Sequence, residues 1–179
     1  MNQKTVSTKG KNLQQNAEST LSYPTIGMND IDRQAVAAGL TRVLADSMTV
    51  YMTTHRFHWN VTGPMFHSLH TLFEEQYTEQ WSALDPIAER IRALGHFAPG
   101  SYAEFSEMTS LSCTTLPSDP IQWDAMVRIL IEANEALCRT VRQVLHSAEQ
   151  CQDAPTVDLL TQRLQQHEKY LWMLRVILQ

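Results

Sequence analysis

The chain has 179 residues with 43% hydrophobic and 18% charged side chains, enough for one domain with a sizeable core and too apolar for a disordered protein. Its formal charge of −5 argues against a nucleic-acid binder built on overall positive charge, and no apolar run approaches the roughly 18 residues that a membrane span needs. The three cysteines, Cys113, Cys138 and Cys151, form no CxxC pair and read as free thiols of a reducing cytoplasm; no secretory signal is apparent.

Residues 1–23 are rich in Gln, Asn, Ser, Thr and Lys without an apolar period, and read as a flexible tail ahead of a domain over 24–179. Three of the four lysines of the chain, Lys4, Lys9 and Lys11, fall here; against Glu18 they give the tail +2 and leave the body −7. A cationic tail on an acidic body is one way to contact DNA, and ordinary solvated lysines are the other reading.

Asn29 can cap a helix that starts at Asp30. Val36, Leu40, Val43, Leu44, Met48, Tyr51 and Met52 recur at three and four residues, the mark of an amphipathic helix reaching about Asn60, with Gly39 its weak point. Thr62-Gly63-Pro64 breaks the chain before a second helix, from about Pro64 to Leu94, stopped by Gly95. The segment 96–118 is looser, with a short helix over Tyr102–Met108. Asp119-Pro120 carries a start signature for a third long helix to about Gln150, and Asp153-Ala154-Pro155 opens a fourth that runs to the end. Four long helices with a long, interrupted second connection predict an all-α four-helix bundle with a crossover.

The second helix carries the chemistry. His70 and Glu74 are spaced i,i+4, as are Asp85 and Glu89, so each pair shares a helix face. His58 precedes them just upstream of the Gly-Pro break. Imidazole with carboxylate suits iron, manganese or zinc. At ~1.5 Å rise per residue, Glu74 and Asp85 lie roughly 16 Å apart along the axis, too far to share one metal within a chain. An antiparallel helix of a second subunit would set the His70–Glu74 end of one chain against the Asp85–Glu89 end of the other, twice about a twofold axis. The alternatives are a core-edge histidine at His70, solvated helix acids at Glu74 and Glu89, and a cap at Asp85 for a helix restarted by Pro86.

The stretches LADSMTVYMTTHRFHWNVTGPMFHSLHTLFEEQY, LDPIAERIRALG and LTQRLQQHEKYLWMLRVIL resemble the Dps-type miniferritins, over nearly everything from about Ile26 to Gln179. The resemblance implies a ferritin-like four-helix bundle with a short helix in the middle connection, twelve copies of which form a hollow shell in the cytoplasm, nucleoid-associated if DNA is bound. It implies ferroxidase chemistry, Fe(II) oxidised by hydrogen peroxide or oxygen, with two iron ions per intersubunit site. His58, His70 and Glu74 would come from one subunit, Asp85 and Glu89 from its twofold partner. Trp59 would intercept stray oxidant or simply pack at a helix end. Glu149 and Asp158 would line threefold pores or be ordinary helix-end charges. DNA protection through the Lys4/Lys9/Lys11 tail is the second function implied. No Glu-x-x-His occurs, so the intrachain di-iron motif of larger four-helix bundles is missing. The histidines His55, His67, His96, His146 and His167 carry no assigned role.

Overall fold

The computed structural model describes residues 26–111 and 120–179, and the tail with Lys4, Lys9 and Lys11, together with Cys113 and Asp119, lies outside the described residues. Among the described residues five helices follow in order: α1 (Asp30–Asn60), α2 (Phe66–Ala93), α3 (Tyr102–Met108), α4 (Trp123–Gln150) and α5 (Ala154–Ile177). The four long ones form the bundle, with α1 packed along α2 and α4, α4 along α5, and α3 lying on α1. Among the described residues no helix is long and apolar enough to cross a membrane.

Local chemistry explains most helix ends. The Asn29 side chain accepts the amide of Asp32 at 2.8 Å, satisfying a donor that has no partner within the helix. Ser101 and Glu104 close a capping box on α3, and Asp153 caps α5 through the amide of Thr156. The third long helix departs from expectation: it starts at Trp123, and Pro120 and Ile121 precede it as irregular chain. Ile121 is buried in the core and Gln122 is extended (φ −66°, ψ 147°), so the incoming chain is anchored before it can coil. Gly39 is no defect in α1. A Cβ there would meet Val144 Cγ1 of α4 at 2.7 Å, so the missing side chain is what lets the two helices approach.

The crossover is tied down by Asp46, which is fully buried on α1. Its carboxylate accepts from Thr109 Oγ1 (2.8 Å), the Ser110 amide (2.7 Å), Ser110 Oγ (2.8 Å) and Thr140 Oγ1 of α4 (2.8 Å). A buried carboxylate is tolerated when its lone pairs are filled in this way.

The apolar interior comes in two clusters. One is built on Leu40, Val43, Ile87, Leu137 and Leu160; the other, nearer the α1–α2 turn, on Phe57, Leu69, Phe73, Leu130 and Leu174. Burial of each such side chain contributes about 1.5–3 kcal/mol. Between them every long helix contributes buried polar residues: Thr54 from α1, Gln76 and Gln80 from α2, Asn134 from α4 and His167 from α5. His167 Nδ1 donates to Asn134 Oδ1 at 2.8 Å, which fixes its tautomer. Arg163 pairs with Glu79, whose Oε2 also accepts from the Tyr170 hydroxyl at 2.8 Å. Burial raises the Glu79 carboxyl, but the bonds from Arg163 outweigh it and hold the group below its ordinary range.

Candidate metal centre

The centre is assembled by the α1–α2 turn. Gly63 adopts φ +94°, a conformation costly for any residue with a Cβ, and its carbonyl accepts the Phe66 amide at 3.0 Å. This short reversal sets the last turn of α1, with His58, beside the second turn of α2, with His70.

The two imidazoles are interlocked. His58 Nδ1 donates to the backbone oxygen of His70 at 2.8 Å, and His70 Nδ1 donates to the backbone oxygen of His58 at 2.9 Å. A carbonyl oxygen only accepts, so both Nδ1 atoms carry a proton, which in a neutral ring leaves the lone pair on Nε2. The His58 carbonyl lies in the final turn of α1, where it has no helical donor of its own, and the His70 ring supplies one. The rings stack at 3.9 Å with 18° between planes, flanked by Phe66 on His70 (5.1 Å) and the edge of Tyr77 on His58 (5.1 Å). Such imidazole-to-carbonyl bonds orient metal-binding histidines and leave Nε2 free as the donor.

Glu74 follows one turn after His70 and is exposed. Asp85 and Glu89 are exposed farther along α2, which continues through Pro86 as one helix; Asp85 does not cap a restarted segment. Asp85 borders a groove lined by Leu44, Met48, Trp81 and Phe105, with Trp81 59% exposed. The chain therefore brings His58 and His70 together and does not bring Asp85 and Glu89 to them. Among the described residues no three His, Cys, Asp or Glu side chains are grouped to hold a metal.

Trp59 is 63% exposed, its ring 4.1 Å from His55, so it covers the aromatic seam rather than filling the core. Glu149 and Asp158 are exposed near the α4–α5 corner, Glu149 beside His146 (3.8 Å) and Asp158 accepting from Gln162 (2.7 Å).

Two arrangements escaped the sequence reading. One is the row formed by Tyr51, His55, Tyr77 and Trp81 along the α1–α2 seam, in which the His55 ring stacks on Tyr77 at 3.9 Å. Burial, and secondarily His58, lowers the His55 pKa, which favours the neutral ring. The other is the buried polar layer around His167. Its signal was present as Gln76, Gln80, Asn134 and His167 at inward positions of otherwise apolar stripes.

A ferritin-like domain family profile matches residues 37–179. An uncharacterized low temperature-induced protein of Nostoc sp. is 39% identical over 151 residues, covering 84% of this chain and 83% of that protein. A DNA protection during starvation protein 2 of Bacillus anthracis is 33% identical over 78% of this chain and 93% of its own length. A crystal structure of a Dps protein from Vibrio cholerae O1, described as one of a broad superfamily of ferritin-like diiron-carboxylate proteins, superposes with a TM-score of 0.81. It shares 28% identity and covers 89% of this chain and 98% of that one.

Proposed function

This chain belongs to the ferritin-like family as a Dps-type miniferritin, and we propose on that footing that it is a ferroxidase that stores iron and removes Fe(II) together with peroxide. The observation that carries the reading is the interlocked pair His58–His70, whose Nδ1 atoms are tied to backbone oxygens so that Nε2 is the atom each ring would offer to Fe(II). Glu74 joins them on the same face, and Asp85 and Glu89 of a second copy, set antiparallel about a twofold axis, complete the ligand set. Iron is the substrate. Two Fe(II) ions held side by side each give hydrogen peroxide one electron, so two Fe(III) and two hydroxide ions form and no hydroxyl radical is released. Oxygen is the alternative oxidant. The bundle over 24–179 assembles as a twelve-subunit cytoplasmic shell, and acids such as Glu149 and Asp158 draw Fe(II) toward its pores.

Anaerobic loading with Fe(II), followed by peroxide, tests the site. The wild type should oxidise the load rapidly, and His58→Ala and Asp85→Ala should each be slower by at least about tenfold, the usual cost of losing a well-placed group at a metal centre. Equal rates in all three proteins would remove these residues from the site.

A second reading, DNA compaction with oxidation secondary, draws on the concentration of three lysines in the first 11 residues. A shell would display that tail many times and gain avidity from weak contacts. Gel retardation by the full chain at low salt, lost at high salt and lost on removing residues 1–11, is the expected pattern. Unaltered retardation after truncation would detach DNA binding from Lys4, Lys9 and Lys11.

A further inference from the structure

The seam between α1 and α2 holds a continuous row of oxidisable rings that ends on the His58–His70 pair. The edge of Tyr77 meets His58 at 5.1 Å, and His55 stacks on Tyr77 at 3.9 Å with 16° between planes. Tyr51 lies 6.4 Å from Tyr77 and 5.4 Å from Trp81, centroid to centroid. These are near-contact separations, over which an electron passes between rings without help from a mobile carrier. One further contact distinguishes Tyr51: its hydroxyl meets His55 Nδ1 at 3.2 Å. A phenol gives up an electron far more readily when a base receives its proton in the same event. With the hydroxyl as donor, His55 Nδ1 is that base, and His55 presents the opposite tautomer to His58 and His70.

We propose that Tyr51, with His55 as its proton acceptor and Tyr77 as the connecting ring, is a one-electron donor to the iron-oxidising centre. The proposal rests on the ferroxidase reading of that centre and supplies what peroxide lacks when only one Fe(II) is bound. Peroxide needs two electrons. A single Fe(II) provides one, leaving Fe(III), hydroxide and a hydroxyl radical. Tyr51 provides the second: its electron passes along the row to reduce the hydroxyl radical to hydroxide, and its proton moves to His55 Nδ1. Return of that proton to hydroxide makes water and restores His55. The balance is one hydroxyl radical and one phenol converted to one water and one neutral tyrosyl radical, held in the seam instead of released.

The test has two arms on the full-length assembled protein. In the first, Fe(II) below one ion per site is mixed with hydrogen peroxide, frozen within milliseconds and read by electron paramagnetic resonance. The wild type should show an organic radical whose hyperfine structure collapses with ring-deuterated tyrosine, and Tyr51→Phe should lose that signal while oxidising saturating Fe(II) at the wild-type rate. His55→Phe keeps a ring in the row and removes the base, so its radical yield should fall severalfold. An undiminished signal in Tyr51→Phe, or one insensitive to tyrosine deuteration, overturns the proposal. In the second arm, radiolytic azidyl radicals oxidise the exposed Trp59 and Trp81 without iron. The indolyl absorption should convert to tyrosyl faster in the wild type than in Tyr51→Phe, and equal conversion counts against the relay. A wild type that fails to oxidise Fe(II) would sink the ferroxidase reading alone, because the second arm still decides whether Tyr51 is the donor.

Discussion

His167 is fully enclosed, and burial, reinforced by the Arg163 charge beside it, lowers its pKa from 6.5 to about 3. Between those values the unfolded chain takes up a proton that the folded chain refuses. The contribution of His167 is therefore complete above the unfolded value and drains away as pH falls from about 6.5 toward 3. Chemical denaturation at about pH 7.5 and about pH 5 should show the wild-type midpoint dropping, and His167→Gln, which keeps an amide donor for Asn134, dropping less. Parallel losses in the two proteins would exclude His167 as the cause. Glu79, held low by Arg163, acts in the same direction but only within the carboxylate range. His55, also lowered by burial, acts in the same interval, so it is the comparison with His167→Gln that isolates His167. The role of His167 could not be read from the chain because its partners are Asn134 on α4 and Arg163 on its own helix, and Arg163 in turn answers to Glu79 on α2. The i,i+4 spacing of His70 and Glu74 was legible, whereas the reciprocal bonds that set the tautomers of His58 and His70 depend on a turn geometry that sequence spacing does not encode.

At the level of helices, periodicity and chain breaks located α1, α2, α3 and α5 closely, and the caps read at Asn29 and Asp153 act within their own first turns. The start of α4 was misplaced because Asp119-Pro120 has the local chemistry of a helix start, while a tertiary contact, the burial of Ile121, dictates the chain path there. Gly39 is the complementary case: weak by propensity, yet required by Val144 across the α1–α4 contact. Gly39→Ala would add slight helix propensity and force that contact apart, a net loss of about 1–3 kcal/mol by overpacking. Val144→Ala in the same chain should recover part of it, and thermal melts of the two single variants and the double variant measure the coupling. A Gly39→Ala protein at least as stable as the wild type would mean that α1 and α4 give way at no cost.

At the scale of the whole molecule, the His58–His70 pair and the Asp85–Glu89 pair occupy well-separated levels of one bundle, and the acids lie on the exposed face of α2. A centre shared between copies has a signature that no intrachain site can imitate. His58→Ala and Asp85→Ala chains, each slowed alone, should regain activity when unfolded and refolded together, because a mixed dimer has one centre missing both residues and one that is intact. Random pairing makes about one centre in four wild type. No recovery from a mixture shown to contain mixed dimers would confine the chemistry to single chains. Catalysis of this kind also answers to mass action. On the proposed shared centre, a subunit released by dilution would keep its paired imidazoles and Glu74 but lose the second copy's Asp85 and Glu89, so oxidation per chain would fall as the protein is thinned and return as it is concentrated. On that proposal, the outward-facing acids of α2 would make subunit concentration itself a control on iron chemistry.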